Sequence, residues 1–263
     1  MPIDPGALVA PTARIHPDAT IGPGCVVGEY CIIEQDVTLG PRCILEPYVY
    51  LKRWTSLGEG NEISASTVLG TDPLDKNFRG ERSYLRIGNH NKIREHFTIS
   101  RATKPEASTV IGDHNFIMTS GHIAHDCQLG SHIVVASCTL LAGYVEVGDR
   151  AFLSGGVVVH QYSRIGRLVM VGGNTRVNSD LAPFFLYSNF DVAVEGVNTV
   201  GLRRAGFDAA ERQVVKDCYR LLFRSGLKKD EACAGLEALA HPIGAELASF
   251  VRSSQRGIAR PAA

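Results

Sequence analysis

The sequence predicts a mainly β protein: a parallel β-helix of six-residue repeats over residues 1–183, then a small α-helical C-terminal domain over residues 184–263. Three observations carry that prediction. An aliphatic residue recurs at every sixth position from Ile3 to Leu69; the period lapses twice and returns each time; and beyond Pro183 a helical spacing replaces it. A period of six is neither the 3.6 of a helix nor the alternation of a simple strand. It suits short strands joined by tight corners, each flat face sending one aliphatic side chain into a narrow core. Three faces make one coil of a prism, so 18 residues advance the chain by one strand spacing, roughly 4.8 Å.

Taken in order, the first block runs Ile3, Val9, Ile15, Ile21 and so on to Ile63 and Leu69. Phase lapses over Thr71 to Tyr84, returns at Ile87, Ile93 and Ile99, and lapses again from Arg101 to Ser108. It then runs unbroken from Ile111 to Val177. The three blocks hold 12, 3 and 12 repeats, 27 in all, which makes nine coils. The lapses, near 71–86 and 101–108, read as loops leaving the prism at corners, and such loops either carry function or are tolerated insertions. The open ends of a coil need caps. Past Pro183, Asp208 and Glu211 have the spacing of a capping box. Val214, Val215, Cys218, Leu221 and Leu222 form a helical stripe after it. Further helices are expected at about Lys229–Leu239 and Ile243–Ser253, with a frayed tail from Gly257. The run Arg212, Lys216, Arg220, Arg224, Lys228 and Lys229 reads as a solvated helix face, or as a receiver for an acidic protein partner.

Bulk properties exclude several classes. Lys+Arg and Asp+Glu balance at 27 each, so no global field argues for nucleic acid. No apolar run approaches the roughly 20 residues that span a bilayer, so no integral membrane segment is expected. Met1-Pro2-Ile3-Asp4 lacks the basic and apolar regions of a signal peptide. The seven scattered cysteines read as small buried hydrophobes in a reducing cytoplasm.

The stretch Gly121 to Cys127 holds His122, His125 and Asp126. A general base with its orienting carboxylate, a pair of metal ligands and plain turn residues are its three readings. The 18-residue register puts His125, Gly143 and Gln161 in one column and Asp126, Tyr144 and Tyr162 in the next, with Gly155 under Gly173. An imidazole with an ordinary pKa of about 6.5 is a suitable base, and an N–H at Gly143 can stabilise an oxyanion. Adjacent strand side chains point oppositely, so His125 and Asp126 can meet only at a corner. His122 and His125 have no usual metal spacing and no third ligand in register. His114 and His132 should stack as exposed corner residues.

Together, the long repeat, both loops, Gly121–Cys127, Leu141-Ala142-Gly143, Val159-His160-Gln161, Met170-Val171-Gly172-Gly173, Gly201-Leu202-Arg203-Arg204 and Tyr219–Gly226 resemble the UDP-N-acetylglucosamine O-acyltransferases that begin lipid A biosynthesis. That family belongs to the hexapeptide-repeat acyltransferases, and the likeness covers essentially the whole chain. The resemblance implies a left-handed coil and transfer of a 3-hydroxyacyl chain from acyl carrier protein to the sugar 3-hydroxyl. It also implies a cytoplasmic homotrimer with no cofactor and no metal. It makes His125 the base, Asp126 its orienter and the Gly143 N–H the oxyanion donor. His122, His160, Gln161, Tyr144, Asp75 and Lys76 fall on the sugar side, and Asn198 and Arg204 on the uridine diphosphate. Met118, Met170, Gly155 and Gly173 fall on the acyl groove. The departures lie on acceptor recognition: Tyr144 replaces a histidine, Asn77 falls at the family's first-loop lysine, and Val200 and Ala205 replace polar or basic residues. They lead us to expect conserved chemistry on an altered acceptor, a 3-amino analogue of the sugar being one candidate. The rivals are a hexapeptide-repeat transferase using an acyl-CoA donor and a non-catalytic sugar-nucleotide-binding β-helix.

Overall fold

A computed structural model describes residues 3–262. Twenty-six short strands from Leu8–Val9 to Arg176–Val177, preceded by a bridge at Ile3, take up the 27 aliphatic repeats one for one. Each strand pairs in parallel with the third strand along the chain, giving three sheets that are the faces of a prism. We call them face one, beginning at Leu8–Val9, face two, beginning at Arg14–Ile15, and face three, beginning at Thr20–Ile21. The register is the expected one, with Ile123 opposite Leu141 and Leu141 opposite Val159. Across the first loop Ile63 pairs with Ile93 instead of Glu81, so that loop adds the length of two repeats. Across the second, Ile99 pairs with Ile123 instead of Ile117, so it adds the length of one.

One aliphatic per strand fills the axis: Ile117, Ile123 and Val135 have no exposed surface at all. The residue four after it faces inward as well, from Ala151 to Phe97 in size, and several are polar groups that satisfy themselves within the prism. The Cys25, Cys31, Cys43 and Cys127 thiols fill this site and donate to carbonyls 15 residues on, at 3.0–3.2 Å. In three consecutive coils it holds buried asparagines instead. Asn91 donates to Asn61 Oδ1 and Gly112 O, and its own Oδ1 accepts from the Asn115 N–H at 2.9 Å. Cys138 departs from the expectation that all cysteines are buried. It stands exposed at a corner, three residues after an aliphatic, where side chains leave the prism.

Those corners set the shape. From Tyr30 to Asn174 the corner residue, when not glycine, takes φ between +54° and +64°. An L-residue there costs roughly 1–2 kcal/mol, and the fold recovers part of that cost by stacking corner on corner. Tyr30 lies on Tyr48 at 5.2 Å. His132 lies on His114 at 5.0 Å as expected, and His90 extends the pile by 5.1 Å across the second loop.

Two further strands, Phe185–Ser188 and Ala193–Val197, add to the end of face one, the last antiparallel, so no row of unpaired parallel backbone is left there. Helices follow: α1 (Thr199–Arg204), α2 (Ala209–Phe223), α3 (Lys229–Ala238) and α4 (Pro242–Ser253). The α2 capping box at Asp208 and Glu211 is formed, and the last two helices lie within one residue of their expected ends. Arg167 ties α4 to the prism with two 2.8 Å bonds to Glu246. The tail is not frayed at Gly257: Asp180, buried, accepts from the Ala259 N–H and donates to Gly257 O, at 2.9 Å each. Among the described residues no helix is long and apolar enough to cross a membrane.

The asparagine ladder gives a stability test. Asn91→Ala leaves Gly112 O and the Asn115 N–H without the partners that Asn91 gives them, while Asn61 Oδ1 keeps only the backbone N–H of residue 91. It should lower stability by about 2–4 kcal/mol, read as a lower urea midpoint at unchanged slope.

Candidate active site

The site lies on the edge between faces two and three, where the chain turns after Ile123, Leu141 and Val159. Backbone bonds from Tyr144 N–H to His125 O (3.0 Å) and from Tyr162 N–H to Gly143 O (3.1 Å) hold three successive corners in line. His125, Gly143 and Gln161 are therefore stacked as the register requires. Asp126 has φ +61°, and this left-handed turn brings its carboxylate round to its neighbour, with Oδ2 2.9 Å from His125 Nδ1. An extended residue at that position would point away. Both side chains are mostly buried, 12% and 9% exposed.

Gly143 makes room for the His125 ring. A Cβ built on it would lie 2.4 Å from His125 Cε1 and 2.8 Å from Nε2, so any larger residue displaces the ring. Its N–H meets no acceptor among the described residues. The corners between faces three and one differ. There a side chain from the next coil caps the equivalent N–H: Asn89 caps Glu59, Asp113 caps Asn89, Ser131 caps Asp113 and Asp149 caps Ser131, at 2.6–2.9 Å.

The electrostatics suit a base. Burial acts to raise the Asp126 pKa, but hydrogen bonds from His125 and Thr103 outweigh it and hold the carboxyl below its ordinary range. Burial lowers the His122 pKa, so this ring is neutral at neutral pH. His122 Nδ1 is 2.7 Å from Thr98 Oγ1, while its Nε2 is buried with no partner among the described residues. That orphaned nitrogen is suited to a ligand. His160 Nδ1–H donates to Gln161 O at 3.1 Å, which leaves its Nε2 as a free acceptor on the exposed rim.

Sequence reasoning misses two residues here, both on the second loop. Thr103 reaches Asp126 Oδ2 with its N–H at 3.1 Å and its hydroxyl at 2.8 Å. Arg101, 1% exposed, donates to Glu81 O, Ser83 Oγ and Asp72 Oδ1 at 2.7–2.9 Å. Its guanidinium lies between Trp54 and Phe78, 4.8 and 4.9 Å from their centroids, so it pins the first loop to the prism. The lapses of period mark the loops, but nothing in them distinguishes these residues.

The remaining candidates form three groups. Asp75 and Lys76 stand on the first loop, where Asp75 Oδ1 accepts from the Asn77 N–H; among the described residues no hydrogen bond joins them to the histidines. Asn198 and Arg204 line a cavity of about 490 Å³ that also takes in Met170, Arg150, Val200 and Ala205. The Asn198 amide is committed within it, capping α1 through Gly201 N–H at 2.9 Å and donating to Leu168 O at 2.8 Å. Met118 lies half-buried beside face one, and Gly155 and Gly173 occupy successive corners between faces one and two.

Residues 180–259 match the family described as Udp N-acetylglucosamine O-acyltransferase, domain 2. An acyl-[acyl-carrier-protein]–UDP-N-acetylglucosamine O-acyltransferase of Verminephrobacter eiseniae is 44% identical over 265 residues, covering 98% of this chain and 99% of its own. The chain belongs to that O-acyltransferase family. A second member, from Gloeothece citriformis, is 39% identical over 201 residues, 76% of this chain and 73% of its own. Among solved structures, the UDP-N-acetylglucosamine acyltransferase of Bacteroides fragilis superposes with a TM-score of 0.93 at 33% identity, covering 96% of this chain and all 100% of that one. The Arabidopsis acyltransferase of the same name gives 0.86 at 35% identity, with 96% and 100% covered. The fold is thus the family's left-handed parallel β-helix with a small helical C-terminal part.

Gly143→Ala should separate catalysis from folding. Gly143 lies outside the positive-φ region, so alanine adds no backbone strain. It should cost about 10²-fold in acyl transfer by displacing His125, while the thermal midpoint moves by only a few degrees.

Proposed function

We propose that the protein transfers a 3-hydroxyacyl chain from acyl carrier protein to the glucosamine 3-hydroxyl of UDP-N-acetylglucosamine, the first step of lipid A biosynthesis. The observation that carries this reading is the 2.9 Å contact between His125 Nδ1 and Asp126 Oδ2, with the imidazole seated on Gly143. An ionised carboxylate has no hydrogen to give, so the Nδ1–H donates to it and the Nε2 lone pair is free. Nε2 takes the proton of the sugar hydroxyl as its oxygen attacks the thioester carbonyl. The carbonyl oxygen becomes an oxyanion, and the uncapped Gly143 N–H is the donor suited to it, a contribution worth roughly 3–4 kcal/mol. Collapse re-forms the carbonyl and expels the thiolate, which takes the proton back from the His125 imidazolium. The products are an O-acyl sugar nucleotide and the free thiol of the carrier.

His122, His160, Gln161 and the first loop supply the sugar contacts, and the cavity of Asn198 and Arg204 takes the uridine diphosphate. The alkyl chain runs past Met118 and Met170 to Gly155 and Gly173. Cytoplasmic location and homotrimeric assembly complete the reading. Support for assembly comes from the outer faces. Val26, Ile44, Phe116 and Phe152 on face one are 36–42% exposed, and Leu140 and Val158, in line with His122 on face two, are 44% and 46% exposed. Apolar rows beside a base that needs water excluded fit neighbouring prisms packed face to face.

Val200 and Ala205 favour one second reading, because both line the nucleotide cavity where the family carries polar or basic groups. On that reading a 3-amino sugar is the better acceptor and the product is an amide. A panel of both UDP-sugars with 3-hydroxyacyl carrier protein, scored by product mass, decides between them; turnover of neither overturns the assignment. His125→Ala should lose at least about 10²-fold with the preferred sugar, and a variant as active as the parent excludes His125 as base. Light scattering should return three times 28.4 kDa, and a monomer that is fully active would overturn the shared-site assembly.

A further inference from the structure

We infer that Thr103 is the positioning residue that locks the His125–Asp126 pair and, through the same hydroxyl, recruits Tyr144 into the catalytic network; the inference rests on the acyl-transfer reading above. Asp126 Oδ2 receives His125 Nδ1 at 2.9 Å, the Thr103 N–H at 3.1 Å and the Thr103 hydroxyl at 2.8 Å. The Thr103 oxygen also lies 2.9 Å from the Tyr144 hydroxyl. A carboxylate can only accept, so the Thr103 hydrogen goes to Asp126, and the Tyr144 hydrogen must then go to Thr103. The donors run one way, from Tyr144 to Thr103 to Asp126, while His125 meets the same carboxylate from the other side. Burial raises the Tyr144 pKa, with its bond to Thr103 opposing, so the phenol keeps the hydrogen this direction needs.

Two consequences follow for the chemistry. The base is held in one tautomer and one orientation by a group outside its own coil. Tyr144, with its hydrogen committed, offers a bound acceptor lone pairs only. It can accept from a sugar hydroxyl or amine, but it cannot donate to a phosphate or acetyl oxygen. Its ring is fixed as well, stacked on Tyr162 at 4.7 Å and edge-on to His125 at 5.4 Å. The regular repeat cannot supply this hydroxyl. Within the prism the Asp126 N–H donates to Thr109 Oγ1 at 2.8 Å, but its carboxylate is reached by Thr103, which enters from the second loop, between Ser100 and Ser108, where the period does not hold.

The charged and titratable groups around the pair are His122 on its own face, Tyr144 and Tyr162 above it, and Glu146, Arg164, Asp180 and Arg256 in the adjoining cavity. Besides Asp126 itself, that cavity holds two acidic and two basic side chains, none of which replaces the Thr103 hydroxyl on Asp126 Oδ2. With one donor fewer, more of the Asp126 charge falls on His125 and stabilises its imidazolium. The base then needs a higher pH to lose its proton.

The test is the pH profile of kcat/KM for the parent, T103V, T103A, T103S, Y144F and H125A in the same acyl-transfer assay. T103V and T103A should lower kcat about tenfold and move the acid limb to higher pH, and T103S should restore both. Y144F keeps the Thr103–Asp126 bond and should leave the acid limb in place. An unmoved limb and parental kcat in T103V and T103A would overturn the inference, as would T103S losing as much as T103V. If T103V fails to fold, T103A carries the same comparison. H125A separates the levels: an active H125A refutes the base itself, whereas an inactive H125A beside a parent-like T103V refutes only the role of Thr103.

Discussion

Everything in this molecule depends on one pairing rule, that a residue lies beside its counterpart three strands on, in parallel, around a prism with left-handed corners. The rule requires non-glycine side chains such as Tyr144, His132 and Trp54 to accept positive φ. Isolated αL residues of this bulk are rare because nothing compensates them. Here each corner is held by the backbone bonds of the coils above and below, and many corners gain an aromatic neighbour at 4.7–5.2 Å. The corner that is strained in isolation becomes the cooperative unit of the fold. It also turns Asp126 back on His125, which an extended strand cannot do.

The same corner serves two purposes on two edges. Between faces three and one, the outward N–H groups are capped in series by Asn89, Asp113, Ser131 and Asp149. On that edge the corner N–H groups are taken up by its own side chains. Between faces two and three, His125 and Gly143 stand where the capping residues would, and the Gly143 N–H is left uncapped. A free donor is left there by omitting a structural bond, while the neighbouring edge retains its own. The loops then add what a repeat cannot. Arg101, buried with its charge paired to Asp72 and flanked by Trp54 and Phe78, fixes the first loop, and Thr103 fixes the carboxylate.

How much of this is legible in the sequence follows from what has a period. Ile123, Leu141 and Val159 announce themselves because a narrow core accepts one aliphatic per face, and the column of His125, Gly143 and Gln161 then follows from arithmetic. The pile of His114 on His132 is equally accessible. His90 is hidden because the second loop moves its partner from Ser108 to His114. Thr103 and Arg101 lie where the period lapses, and a threonine or an arginine in an aperiodic stretch carries no signal of burial. Cys138 escapes because composition says nothing of whether a cysteine falls on an inward position or a corner. The order of the tail escapes because its anchor, Asp180, lies before the helical domain, at the end of the repeat, and pairs with Gly257 and Ala259 through backbone alone.

Glycine is where fold and function are hardest to tell apart in such a sequence, and the surroundings of each Cβ separate them. At Gly22, Gly28 and Gly40 a Cβ would meet backbone of the next coil at 2.6–3.0 Å, so the prism itself demands glycine. At Gly143 the obstruction is the imidazole of His125, so glycine there makes room for that ring rather than for the coil. At Gly155 and Gly173 the nearest atoms are single carbonyl oxygens at 3.3 and 3.4 Å, a distance the prism could absorb with little adjustment. The fold therefore does not account for these last two. Open space above two successive corners, on an edge bordered by the apolar rows of faces one and two, is what the alkyl chain of the proposed substrate requires, and the proposed groove supplies a reason for glycine that the coil does not.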